Sequence, residues 1–251
     1  MKQELVVTEL GRQLREANEA ELETLIAKRL DAIDPPAARQ AFRNPFLSRT
    51  MIERLLSTPR LVAAYEVRLE AARHPRTPQL VALRFVGGLY WPDLVRIGLD
   101  THLHPIVRRS ADLRLAERLP GLAVGEKIVI ARTASQGLIG ALRIDPTPRV
   151  IEALLENPRL TEGLLLPLAV SEATSPLVLG VVAGSARWSV RYPIRLALCR
   201  NPRAPLDRVL HHLPMLKKQD LAGIANDPRL KLPVRRKAEL LARGGDRDAK
   251  I

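Results

Sequence analysis

The chain has 251 residues, 46% of them apolar and 3% aromatic, with a formal charge of +13 at neutral pH. That length allows a substantial core, as one elongated unit or two ordinary domains. The single cysteine, Cys199, excludes a disulfide framework and any cysteine-ligated zinc or iron–sulfur centre, while the scarcity of rings argues against a β-sandwich or a ring-rich base-stacking surface.

The opening Met1-Lys2-Gln3-Glu4 lacks the apolar stretch of a signal peptide. Residues 9–31 predict one amphipathic helix, because Leu10, Leu14, Ala17, Leu22, Leu25, Ile26 and Leu30 recur mostly at three- and four-residue steps with charges between them. Asp34-Pro35-Pro36 ends it. Residues 1–35 hold five basic and eight acidic groups and read as an acidic N-terminal cap, which leaves the positive charge to the remainder.

Proline then marks corners at regular intervals. Asn44-Pro45, His74-Pro75 and His104-Pro105 lie 30 residues apart, and Ser175-Pro176 precedes Ala204-Pro205 by 29. Thr58-Pro59, Trp91-Pro92, Leu119-Pro120, Asp145-Pro146, Asn157-Pro158, Tyr192-Pro193 and Asp227-Pro228 fall between them. Proline suits the first turn of a helix and stops the helix before it, so each corner ends one helix and begins the next. The clearest cases are His74-Pro75-Arg76-Thr77-Pro78 and Asn201-Pro202-Arg203-Ala204-Pro205.

The intervening segments are short and carry apolar faces, such as Val150, Ile151, Leu154 and Leu155, or Leu177, Leu179, Val181 and Val182, or Leu221, Ile224 and Ala225. The most apolar stretch, residues 163–184, contains Glu172, Pro167 and Pro176 and reads as two buried helices joined by a turn, not as a membrane span. No period-two alternation marks a strand. The fold class is all-α: an α-solenoid of about six or seven two-helix repeats over residues 36–243, followed by a polar tail at 244–251. In this respect the chain resembles the HEAT-like class and, more closely, the leucine-rich-repeat-variant type, on Arg73–Pro78, Glu156–Thr161, Arg200–Pro205 and Asn226–Leu230. The iron–sulfur cysteine cluster of some variant-repeat proteins has no counterpart here.

No catalytic constellation emerges. His102 and His104, and the adjacent His211 and His212, lack metal-ligand spacing, so neither a metal nor another cofactor is expected. Cys199 lies in an apolar stripe and reads as a small buried hydrophobe. Ser135 and Ser185 have no nucleophile elbow, and Gly137, Gly140, Gly180 and Gly184 form no phosphate loop. Gly180 and Gly184 suggest close helix packing instead.

The basic residues point to a partner. Arg187, Arg191 and Arg195 are spaced to share one face of an unbroken helix, with Trp188 beside them and Arg200 following; Pro193 breaks that helix or starts a new one. A second group is Arg108, Arg109, Arg114, Arg118, Lys127 and Arg132. Acidic residues of neighbouring repeats are the alternative destination for these charges. The expected function is a non-enzymatic cytoplasmic scaffold that binds an acidic protein segment or another polyanion through Arg108, Arg109, Arg132, Arg187, Trp188, Arg191, Arg195 and Arg200. The alternative is nucleic-acid binding. HEAT-like repeats also build alkylpurine DNA glycosylases, whose tryptophans and lesion-side Asp are partly echoed by Trp91, Asp93 and Trp188.

Overall fold

Residues 9–244 are described in the computed structural model, and they form eighteen α-helices with no strand among them. The fold is all-α. Most of these helices are too short to hold their shape alone, so their stability comes from burying one face on neighbours. No helix among the described residues is long and apolar enough to cross a membrane.

Proline stands in the first turn of Pro35–Ala41, Pro59–Ala63, Trp91–Leu99, Pro148–Leu155, Pro176–Gly184 and Tyr192–Arg200. Most of the polar tail expected at 244–251 lies outside the described residues. The single helix expected over 9–31 is two, Glu9–Glu16 and Glu19–Arg29. Asn18 divides them: its side chain accepts from Glu21 N–H while Glu21 accepts from Asn18 N–H, a reciprocal cap that starts the second helix.

Residues 163–184 do contain two helices joined by a turn, Glu162–Val170 and Pro176–Gly184. Pro167 sits inside the first of them. The buried face of the second is Val178, Leu179, Val182 and Ala183; Leu177, expected on that face, is 72% exposed. The faces of Pro148–Leu155 and Lys218–Ala225 bury Val150, Ile151, Leu154, Leu155, Leu221 and Ile224.

Three asparagines secure the corners. Asn44 donates to Leu14 O and Ala17 O, Asn157 to Ala131 O and Ala134 O, and Asn201 to Ala169 O and Ser171 O. Each also accepts the N–H two residues ahead, at Phe46, Arg159 and Arg203. One buried amide thus caps the end of an earlier helix and folds its own turn.

The chain divides into two compact units, up to Glu117 and from Arg118. In the first, Glu9–Glu16 packs on Pro35–Ala41, which packs on Tyr65–Arg73, while Glu19–Arg29 packs on Arg49–Leu56. In the second, Val124–Thr133, Pro148–Leu155, Pro176–Gly184, Leu206–His212 and Leu232–Gly244 pack each on the next. The alternate helices Glu162–Val170, Tyr192–Arg200 and Lys218–Ala225 do the same.

The units share a pattern. Residues 48–113 align without a gap on residues 175–240, 127 positions later, and 21 of the 66 positions keep the same residue. Helices start at matching places: Arg49 and Pro176, Tyr65 and Tyr192, Gln79 and Leu206, Trp91 and Lys218, Pro105 and Leu232. Individual contacts recur as well. Arg68 donates to Val62 O and Ala63 O, and Arg195 to Ser189 O and Val190 O. The chain carries an internal duplication.

Candidate functional site

Helix C-termini and the corners between helices leave carbonyls without intrahelical donors, and in this chain arginine supplies many of them. Arg60 donates to Leu30 O, Asp31 O and Ile33 O; Arg76 to Pro45 O and Leu47 O; Arg203 to Glu172 O. Arg54 and Arg235 do likewise on Ala27 O and Ala225 O, while Arg143 donates to Leu164 O, near the start of helix Glu162–Val170. Much of the arginine excess is therefore architectural.

The expected arginine face at 187–195 does not form. A new helix begins at Tyr192, so Arg187 and Arg191 precede the helix that carries Arg195. Trp188 is 1% exposed, its Nε1 donating to Leu155 O at 2.9 Å, with the guanidinium groups of Arg187 and Arg191 at 4.7 and 5.1 Å from its ring centre. Its indole is core, with no free face. Arg195 caps backbone carbonyls, Arg200 pairs with Asp220 at 2.9 Å, Arg191 lies 3.8 Å from Glu162, and Arg132 lies 3.4 Å from Glu156. Arg108 has a buried Nε without a partner. Arg109 is exposed and makes no described side-chain bond. Arg108 and Arg109 belong to the first unit, the other six expected contact residues to the second.

Asp93 is occupied structurally. Tyr65 Oη donates to Asp93 Oδ2 at 2.5 Å and accepts from Tyr90 N–H at 3.1 Å, while Arg96 holds Asp93 Oδ1 at 3.2 Å. The second copy repeats this bracket with Tyr192, Asp220, the Lys217 N–H and Arg200. Position 90 or 217 covers the ring in both cases, as Tyr90 stacked on Tyr65 or as the Lys217 ammonium over Tyr192.

Burial, then the bond to Asp93, pushes the Tyr65 phenol up to about 12. Burial and then Asp220 push Tyr192 in the same direction. A raised acid holds its proton in the folded state. Its contribution to stability is thus complete below the unfolded tyrosine range near ~10 and disappears as pH climbs through the folded value. Tyrosinate absorbance of the folded chain should rise at higher pH than that of the urea-unfolded chain; coincident curves would refute the bracket.

Cys199 is buried, and burial pushes its thiol up to about 12. His212 is buried with Nε2 at 3.1 Å from Ala183 O, and His102 is exposed. Ser135 caps helix Gln136–Leu142. A Cβ at Gly180 would lie 3.4 Å from Pro205 Cγ and one at Gly184 would lie 3.9 Å from the Arg208 guanidinium, ordinary contact distances, so the expected close packing does not require either glycine. No group of three or more His, Cys, Asp or Glu converges among the described residues.

One cleft was not foreseen from the sequence. In the first unit the 74–78 corner and the starts of helices Gln79–Val86 and Pro105–Arg118 enclose about 420 Å³. Arg49, His74, Arg76, Thr77, Gln79 and His104 line it, and no carboxylate does. His74 is half-buried, and burial followed by the Arg76 charge holds its imidazole below the ordinary histidine range. The recurring His-Pro spacing marked these histidines as corner residues; what it did not carry was their convergence from corners 30 residues apart.

Comparison of the chain with protein-family models, curated proteins and solved structures finds no match.

Proposed function

We propose that the chain is a non-enzymatic helical-repeat scaffold, an α-solenoid of HEAT-like two-helix repeats, which binds an acidic protein segment through exposed cations. The alternate-helix packing within the second unit supports the repeat architecture. The partner reading rests on one observation. Arg109 and Arg236 occupy equivalent positions of the duplication, both are exposed, and neither makes a described side-chain bond. Most other arginines are spent on carbonyls or local acids, so a cation left free in both copies marks a surface held available for an external anion. Burial of Trp188 removes the indole that base stacking would use, which favours a protein partner over nucleic acid.

The test is salt-dependent retention on immobilised poly-glutamate, compared with a gel shift on random duplex DNA. Arg109→Glu with Arg236→Glu should weaken poly-glutamate retention by up to about thirtyfold, the sum of two exposed ion pairs at up to ~1 kcal/mol each. Unchanged retention would overturn the assignment of these two positions. Tighter binding to DNA than to poly-glutamate would favour the nucleic-acid alternative.

A further inference from the structure

We propose that the cleft at the 74–78 corner binds a phosphomonoester group. Thr77 is 7% exposed and its Oγ1 is buried with no hydrogen-bond partner, although it lines a cleft that holds other donors. A buried hydroxyl left unpaired costs about 1–3 kcal/mol, so its retention calls for an acceptor from outside the chain.

The two imidazoles are set as donors. His74 Nδ1 accepts the Arg76 N–H at 3.2 Å, and His104 Nδ1 accepts the Ile106 N–H at 3.3 Å. Each neutral ring must then carry its proton on Nε2, a donor available without net charge. Arg76 is anchored through Nη1 to Pro45 O and Leu47 O, both at 2.9 Å, so its guanidinium is held in place before any ligand arrives. Arg49 is exposed and meets Glu53 through Nε at 3.0 Å, which leaves its terminal nitrogens for a ligand. Gln79 and Leu80 also line the cleft, in the first turn of their helix, where N–H groups lack intrahelical acceptors and the helix dipole is positive. So many donors exceed what the two oxygens of a carboxylate can satisfy. They suit the three oxygens and double charge of a phosphomonoester.

The duplication shows that the fold does not require these groups. At the equivalent positions the second copy carries Asn201 for His74, Ala204 for Thr77, Leu206 for Gln79, Lys231 for His104 and Pro176 for Arg49. It still builds the same corner, with Ala204 N–H bonded to Asn201 O as Thr77 N–H is to His74 O. Arg76 alone keeps its residue, as Arg203; the combination of Thr77, Gln79, Arg49 and the two imidazoles around it belongs to the first copy.

The site stands apart from the scaffold reading, because a small ligand tests it. Isothermal titration of the full chain with phenyl phosphate should show saturable binding, weakened roughly tenfold by Thr77→Ala and by Arg49→Gln. Thr77→Ala installs the residue that the second copy uses at this corner, so its folding is safeguarded. Arg208→Gln, which removes the same charge from the second unit, should leave the affinity unchanged. A phosphoserine peptide that binds more tightly than phenyl phosphate assigns the group to a phosphorylated side chain, and equal affinity assigns it to a small phosphorylated molecule. Absence of saturable binding at millimolar phenyl phosphate, or equal weakening by all three substitutions, would overturn the proposal.

Discussion

Trp188→Ala should destabilise the second unit by about 3–5 kcal/mol, the range for removing a large buried ring. The indole is 1% exposed, so truncation leaves most of its volume as a cavity closed to solvent. It also strips the Nε1 donor from Leu155 O, the last residue of helix Pro148–Leu155, and releases Arg187 and Arg191 from the ring faces. A thermal melt followed by circular dichroism should shift downward by roughly 10–20 °C, given a few degrees per kcal/mol for a unit of this size. Trp188→Leu should cost less, because buried Leu61 fills the equivalent place in the first copy. A melt within two or three degrees of the parent would contradict the ring's place in the core.

Asn157→Ala should be the most damaging small substitution, at about 3 kcal/mol. Asn157 is 0% exposed and its amide holds Ala131 O at 2.8 Å and Ala134 O at 3.1 Å, while its oxygen takes the Arg159 N–H at 2.8 Å. Alanine leaves these backbone groups without their partner, and each buried orphan costs about 1–3 kcal/mol less whatever water recovers. Asn157→Asp should not rescue stability, since a carboxylate cannot donate and repels the two carbonyls. The midpoint of urea unfolding should fall for both variants with little change in slope. If the midpoint stays put, the asparagine corners are decorative and the account of the repeat turns fails.

Helix existence was legible from proline and asparagine corners because those residues act locally: a missing N–H or a fixed φ ends a helix whatever surrounds it. The break at Ala17–Asn18 was equally local, written as Asn18 three residues before Glu21, yet the continuous run of apolar positions concealed it. Faces were less legible. Leu177 looks as apolar as Leu179, but only packing decides which of the two turns inward. The arginine cluster at 187–200 misled for a related reason, since sequence records charge but not whether a guanidinium ends on a carbonyl, a carboxylate or open solvent. Long-range coincidence was the least accessible. Nothing adjacent to Thr77 announces that His104, from the next corner, completes the same cleft. The 127-residue offset was readable in principle from the two matched pentapeptides, and aligning on them exposes Tyr65 with Tyr192 and Asp93 with Asp220.

Most of the long arginine bridges run one way, with Arg143 and Arg195, which donate forward to Leu164 O and Met215 O, as the exceptions. Arg60, Arg76 and Arg203 each reach backward, onto carbonyls 27 to 31 positions earlier in the chain. Losing a downstream segment therefore uncovers more carbonyls behind it than losing an upstream one uncovers ahead. Each unit should therefore loosen more readily from its C-terminal side than from its N-terminal side, a polarity imposed on the order of melting by side chains whose positive charge serves as mortar between courses.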